Sequence, residues 1–512
     1  MSTDPTSESK NNNDSLDLFR IAGFFIGPIL AILIYAILPN SYIDTDGSIV
    51  PLSYEAQAVA AVAVWMAVWW MTEAISIYAT ALIPLVAFPL TGIATMRETA
   101  SSYGQEIIFL FLGGFILALS LERWPLHKRL ALKVLSSVKS EPRLIVGGFM
   151  FVSAALSMWV TNTATTIMLL PVGLSVINML KDSDSSKSFK VSKNFSICLL
   201  LGIAYASSIG GMGTIIGTTP NVFVVSFIRE QLDREISFLE WMSFAVPIVL
   251  LLVPLTWLWL TRFIYPLGRN NLTGAAEIIS ETRASMGPMG RPEFLTLLVF
   301  ITTAFSWVTR PLIVELEIFG LKPFSGLTDA VIAMLAAFSL FIIPSNFKRA
   351  EFLMDWRTAS KLPWGLLLLL GGGLALAAAL TDSGFSYFLG SLASKFRGWP
   401  FWLTTMAVVA LVIFLTELTS NLATTATFIP VLLAVAAGLE LPPLLLIIPA
   451  GLAASCAFML PVATPPNAIV FGSGKLKIKE MCMAGFWLNL LSVIVITFIS
   501  YAILISVLNI DL

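Results

Sequence analysis

Two stretches of the chain carry no charge over a length that suits only one environment. Residues 21–38, "IAGFFIGPILAILIYAIL", and 484–508, "AGFWLNLLSVIVITFISYAILISVL", can cross a hydrocarbon core about 30 Å thick at about 1.5 Å per helical residue. No water reaches backbone N–H and C=O groups there, so such segments must be helical. Of 512 residues, 57% are hydrophobic and 12% charged, where a soluble domain carries about 25% charged residues. The chain reads as an all-α polytopic membrane protein with about 11 transmembrane helices, some of them broken. The acidic, polar start, "MSTDPTSESKNNNDSLD", reads as a disordered tail over residues 1–18 and not as a cleaved leader.

Composition also removes several function classes. Cys198, Cys456 and Cys482 lie far apart in apolar surroundings and read as packing residues. His127, in "RWPLHKRLALK", belongs to a basic stretch at the headgroup level. A net charge of −1 leaves no nucleic-acid footprint. No nucleophile–base pair, metal cluster or phosphate-cradling loop can be assembled, so no enzyme is expected.

Basic residues gather in three loops: Arg123, Lys128, Arg129, Lys133, Lys139 and Arg143; Arg262, Arg269, Arg283 and Arg291; Lys475, Lys477 and Lys479. The positive-inside rule places these in the cytoplasm. The first loop holds Asp44, Asp46 and Glu55 without Lys or Arg, and none follows Lys479. The N-terminus is therefore expected inside and the C-terminus outside. The polar linker 263–292 divides a first half, 19–262, from a second, 293–512.

The halves repeat. "TNTATTIMLLPV" at 161 lies over "SNLATTATFIPV" at 420 with an offset of 420 − 161 = 259, which also carries Gly113-Gly114 onto Gly372-Gly373 and Ser157 onto Thr416. A third pair, "GGMGTIIGTTPN" at 210–221 and "LPVATPPNAIVFG" at 460–472, follows without that offset. Proline removes a backbone donor, so helices should break at each. Unpaired backbone groups at membrane depth must line an enclosed cavity or bind something, the pattern of an inverted-repeat secondary transporter. The glycine segments 109–125 and 362–385 read as two re-entrant hairpins whose arms meet the Asn motifs; the alternative is that their glycines permit close helix packing.

Neither Asn motif contains Lys or Arg. An anion would rest on amides, hydroxyls and helix N-termini, each worth about half a positive charge, which falls short of a dianion's two charges. A small hard cation held by hydroxyl, amide and carbonyl oxygens would supply the rest, and Na+ is the economical partner. Glu73, Glu106 and Glu417 are the plausible intramembrane carboxylates, and none has a basic neighbour in sequence that suggests a proton relay. Glu417 reads as a brace for the broken backbone before it reads as a cation ligand. Trp65, Trp69 and Trp70 read as interfacial anchors.

These motifs resemble the divalent anion/sodium symporters, which carry di- and tricarboxylates or sulfate, and the resemblance covers nearly the whole chain. The family's two Ser-Asn-Thr signatures stand here as Thr161-Asn162-Thr163 and Ser420-Asn421-Leu422, and its second loops as Gly217-Thr218-Thr219-Pro220-Asn221 and Ala463-Thr464-Pro465-Pro466-Asn467. The resemblance implies one Na+ among Ser157, Thr161, Asn162 and Gly217 and a second among Thr416, Thr419, Asn421 and Ala463. It places the substrate against Asn162, Thr163, Thr218, Ser420, Asn421, Thr464 and Pro465. Thr161 keeps the serine hydroxyl, Leu422 loses one and makes that side of the pocket less polar, and Thr219 stands where proline is usual.

The expected function is Na+-coupled import of a small dianion, first a C4-dicarboxylate such as succinate, across the inner cell membrane. Relatives are homodimers in which a transport domain, here about 100–225 and 362–472, moves like an elevator. The alternatives are a Na+-independent exchanger of the same fold, a sulfate or tricarboxylate symporter and, in a different class, a channel or membrane receptor.

Overall fold

The computed structural model describes residues 5–44, 47–182, 189–268, 275–508 and 510. Asp46, Arg269 and the chain's first four residues, among those discussed above, lie outside the described residues. The first half contains α1 (Pro5–Ile37), α2 (Tyr54–Thr72), α3 (Ile77–Thr80), α4 (Ile83–Thr91), α5 (Met96–Ser101), α6 (Glu106–Arg123), α7 (Leu126–Leu135), α8 (Pro142–Ser157), α9 (Asn162–Asp182), α10 (Phe189–Gly211), α11 (Thr219–Leu232) and α12 (Phe238–Leu258). The linker carries α13 (Ala275–Ser285). The second half contains α14 (Arg291–Val314), α15 (Asp329–Ile342), α16 (Trp356–Ala359), α17 (Trp364–Asp382), α18 (Phe385–Ala393), α19 (Phe401–Thr416), α20 (Asn421–Gly438), α21 (Leu444–Ala453), α22 (Pro465–Phe471) and α23 (Ile478–Val507). The described strands form two small antiparallel hairpins, Ser41–Ile43 with Ile49–Pro51 and Pro344–Asn346 with Glu351–Phe352.

Eight described helical segments are long and apolar enough to cross a membrane, or nine if the bent pair Phe385–Phe396 and Phe401–Thr416 counts as one span. The rest of the apolar length is divided among shorter helices such as α8, α15 and α21. The repeat reaches into the helix boundaries. Helices α8 and α19 start 401 − 142 = 259 residues apart and end 416 − 157 = 259 apart, and α7 and α18 start 385 − 126 = 259 apart. Helices α11 and α22 start 465 − 219 = 246 apart.

Four expectations need correction. Residues 5–18 are helical and continuous with the first span: once a helix is nucleated, each added residue gains one hydrogen bond. The glycine segments do not turn at their glycines, which lie in mid-helix. A methyl group on Gly113 would come within 2.5 Å of the Ala333 backbone, and one on Gly372 within 2.3 Å of the Ala81 carbonyl. The paired glycines therefore permit close packing, and the breaks fall at Trp124–Pro125 and Ser383–Gly384. Trp69 and Trp70 are buried instead of interfacial; Trp69 stacks on Phe24 of α1 and Trp70 bonds the Ile77 carbonyl. Last, two carboxylates do have basic partners, brought together by the fold: Arg20 meets Glu73 at 3.0 Å and Arg229 meets Glu106 at 2.5 Å.

Cys198 and Cys456 are buried free thiols in the packed interior and Cys482 is partly buried. His127 is half-buried, with Nδ1–H on the Leu121 carbonyl at 2.6 Å. Burial, helped by the nearby Lys128, pushes its imidazole below the usual range.

Candidate functional site

The site is built from two interrupted helices per half. Helix α8 stops at Ser157, four residues turn the chain, and α9 starts at Asn162; α19 stops at Thr416 and α20 starts at Asn421 after an equal gap. In both, the last hydroxyl of the first helix reaches the first side chain of the second. Ser157 Oγ donates to Asn162 Oδ1 at 2.6 Å, and Thr416 Oγ1 donates to Asn421 Oδ1 at 2.9 Å. Each bond fixes which way the amide faces, because Oδ1 is committed as acceptor.

The second pair of breaks is pinned by the asparagine of each Thr/Pro-Asn motif. Asn221 Nδ2 lies within hydrogen-bond reach of the carbonyls of Gly211, Met212 and Thr214. Asn467 Nδ2 does the same for Ala457 and Leu460. These pairings share one shift, since 467 − 221, 457 − 211 and 460 − 214 all equal 246. Asn221 and Asn467 thus satisfy carbonyls that the broken helices leave open, as a buried break requires.

Packing brings the four breaks into one region. Helix α9 packs against α22 of the other half, and α20 against α11. Thr218 and Thr464 hold nearly the same extended backbone, with φ −146° and −151°, and Ser420 precedes α20 with ψ 136°. None of these three hydroxyls caps its own helix. The three hydroxyls are left for another partner, and α20 adds first-turn N–H groups, whereas α11 loses one to Pro220 and α22 two to Pro465 and Pro466.

The other named residues fall as follows. Thr161, Asn162, Thr163, Thr218, Ser420 and Asn421 are half-buried, Gly217, Ala463 and Thr464 are buried, and Pro465 is exposed. Thr161 Oγ1 accepts the Ala164 N–H at 3.3 Å. Thr419 is already engaged with the Leu415 carbonyl at 3.1 Å and with the Thr424 hydroxyl at 2.5 Å. Leu422 is only 2% exposed and packs in the apolar core. It fills protein, where the sequence suggested a less polar pocket wall.

Glu417 is the brace that its place before Ser420 suggested. Its Oε1 accepts the N–H of Phe458 at 2.6 Å and of Met459 at 2.8 Å, with Asn489 Nδ2 at 2.8 Å, and Oε2 accepts the Leu460 N–H at 3.0 Å. At the equivalent place, 417 − 259 = 158, the first half has Met158, whose carbonyl takes the Thr214 hydroxyl. Sequence reading missed Ser207, which donates to the Asn162 carbonyl at 2.9 Å and touches Ser157 Oγ at 3.3 Å. Its counterpart, 207 + 246 = 453, is Ala453, so the repeat gave no signal. Asn489 carried one, as a lone amide in an apolar span.

Oxygens and amides, without lysine or arginine, make up the named site. Among the described residues no three His, Cys, Asp or Glu side chains gather as a metal cluster, so a cation here would be held by neutral oxygens, which suits a small hard ion.

The sodium-dependent dicarboxylate transporter SdcS of Staphylococcus saprophyticus is 39% identical over 507 residues, covering 98% of this chain and 95% of the relative. SdcS of Staphylococcus aureus is 39% identical over 493 residues, covering 96% and 93%. The crystal structure of the Alcanivorax borkumensis YdaH transporter superposes with a TM-score of 0.57 at 14% identity, covering 94% of this chain and 97% of that one, a likeness of fold alone. Residues 27–508 match the sodium:sulfate symporter transmembrane region, and the chain belongs to that family.

Proposed function

We propose that this protein is a Na+-coupled secondary active transporter of a small dianion, with a C4-dicarboxylate such as succinate as first choice. The observation that carries the reading is the duplicated hydroxyl–asparagine bond at the starts of α9 and α20, beside Thr218, Ser420 and Thr464, whose hydroxyls cap none of their own helices. Two such half-sites without a fixed cationic side chain hold a dianion when cations enter with it. The names of the Staphylococcus relatives support both sodium and dicarboxylate.

One Na+ is assigned to Ser157, Thr161, Asn162 and Gly217, the second to Thr416, Thr419, Asn421 and Ala463. The carboxylates lie against Asn162, Thr163, Thr218, Ser420, Asn421, Thr464 and Pro465. Sodium on Oδ1 of each asparagine leaves Nδ2 to face the anion, so loading of the cation and the dianion is coupled through one amide per half.

The protein is proposed to act as a homodimer by an elevator motion, with the N-terminus and the Lys475–Lys479 loop in the cytoplasm and the C-terminus outside. Helices α6 and α17 pack through Gly113 and Gly372 on α15 and on Ala81 and are assigned to the fixed part, with Gly114 and Gly373 facing Ile216 and Phe223 across the seam. The moving unit is then α8–α12 with α19–α23, which starts later and ends later in each half than residues 100–225 and 362–472. No enzymatic step is assigned. Uptake of labelled succinate into proteoliposomes under an inward Na+ gradient tests the function. Uptake unchanged in choline would overturn Na+ coupling, and competition by sulfate but not by unlabelled succinate would reassign the substrate.

A further inference from the structure

We propose that the turn joining α11 to α12, residues 229–238, is a latch that closes the outer face in the conformation described here and has to open before the site can face the other side. The inference rests on the elevator reading above. Arg229 Nη2 meets Glu106 Oε2 at 2.5 Å, and Thr328, which caps α15, donates to the other oxygen of the same carboxylate. Gln105 Nε2 donates to Glu230 at 3.2 Å, and Thr381 on α17 donates to Gln231 at 2.6 Å. Arg310 on α14 pairs with Glu235 at 2.8 Å, and Asp329 Oδ2 accepts the Phe238 N–H at 2.8 Å. One turn of the moving unit is thus tied to α6 and the residue before it, and to α14, α15 and α17 of the fixed part.

Helix α23 shows which face this is. Its 30 residues span about 45 Å at about 1.5 Å each. Near its start, Glu480 pairs with Lys193 at 2.6 Å and its carbonyl takes the Tyr265 hydroxyl at 2.8 Å. Just past its end, the Leu508 carbonyl takes Arg234 of the latch turn at 2.5 Å. The latch therefore lies opposite the Lys475–Lys479 loop.

At the loop's own face the polar ties run within each part. Lys475 reaches Asn178 at 2.7 Å within the moving side, and Arg143 bonds the carbonyl of Leu267, in the linker that follows α12, at 2.7 Å. Arg123 pairs with Asp355 at 2.7 Å and Arg129 with Glu293 at 3.0 Å, all on the fixed side. Back at the latch face, where Phe401 packs on Tyr501 near the end of α23, Arg397 adds a tie of the same kind, from the segment after α18 to the Gly438 carbonyl at the end of α20. Such one-sided bonding makes a sliding interface bistable: these contacts stabilise one position and are absent from the other.

The test links Arg229→Cys to Glu106→Cys with a short bifunctional thiol reagent, in a Cys482→Ser background that leaves only the buried Cys198 and Cys456. The linked protein is expected to lose Na+-driven succinate uptake about tenfold or more, to keep a succinate-dependent thermal shift in Na+, and to regain uptake on reduction. Uptake at the unlinked rate after complete linking overturns the latch. Gln231→Cys with Thr381→Cys repeats the test if the first pair does not fold. Failure of the underlying transport reading shows separately, as absent Na+-driven uptake before any link is made.

Discussion

Thr416 Oγ1 donates to Oδ1 of Asn421 at 2.9 Å, and 259 residues earlier Ser157 does the same for Asn162. The bond orients the amide, and in the proposed site its oxygen takes the cation and its nitrogen the anion. Thr416→Ala frees that amide to rotate and removes one cation ligand, a loss of ~1–3 kcal/mol. At ~1.4 kcal/mol per tenfold, half-saturation for Na+ should rise about tenfold or more, with succinate apparent affinity falling in parallel at fixed Na+. Thr416→Ser should restore both. Na+ titration of uptake checks this, and unchanged Na+ dependence in the alanine variant would remove Thr416 from the site.

Glu417 is 3% exposed and its two oxygens take three backbone N–H groups and one amide. Glu417→Gln puts an NH2 group where an acceptor is needed, leaving a buried donor unpaired at ~1–3 kcal/mol. The thermal midpoint should fall and the protective shift given by Na+ should shrink, because the loop at 458–460 leads directly into Ala463. Asn489→Ala, which removes one of the four donors, should do less. Equal thermal midpoints for E417Q and the parent protein would show that the carboxylate braces nothing.

Much of this was legible in the chain. The segments Asn-Thr-Ala-Thr-Thr at 162 and Asn-Leu-Ala-Thr-Thr at 421 repeat at one spacing, and the boundaries of α8 and α19 keep it to the residue. The second shift of 246 was hidden because its loops share little beyond Thr, Pro and Asn; only the carbonyls held by Asn221 and Asn467 make it visible. Glycine pairs in mid-membrane suit a turn or a close helix crossing equally well, and what decides is the neighbour: Ala333 for Gly113, Ala81 for Gly372. Likewise Arg229 and Glu106, 123 residues apart, cannot be paired by inspection, since nothing local marks either for the other.

Gly211 sets the room available to the first asparagine. A methyl group there would lie 2.4 Å from Asn162 Oδ1, well inside contact distance. Gly211→Ala should push that amide away from Ser157, raising half-saturation for Na+ and succinate together by about tenfold while the protein still folds. The equivalent residue, 457 − 246 = 211, is already alanine in the second half, so Ala457→Gly should leave transport kinetics unchanged. Uptake kinetics of the two variants side by side test the asymmetry, and equal kinetics would show that the first half-site has slack.

Leu422 occupies the place that Thr163 holds in the other half, yet it is 2% exposed while Thr163 is half-buried. If the missing hydroxyl mattered to the substrate, Leu422→Thr would tighten binding. The packing says otherwise: the change removes buried apolar surface and inserts a hydroxyl into the apolar core in the first turn of α20, where no helical carbonyl lies four residues back to take it. It should cost ~1–3 kcal/mol of stability and leave the succinate KM within about twofold. Thr163→Val, which keeps the shape and removes the hydroxyl, should raise that KM, because a half-buried side chain beside Asn162 can reach a ligand. A fall of about tenfold in KM for L422T would put this side chain in the binding cleft and return substrate selection to the second half.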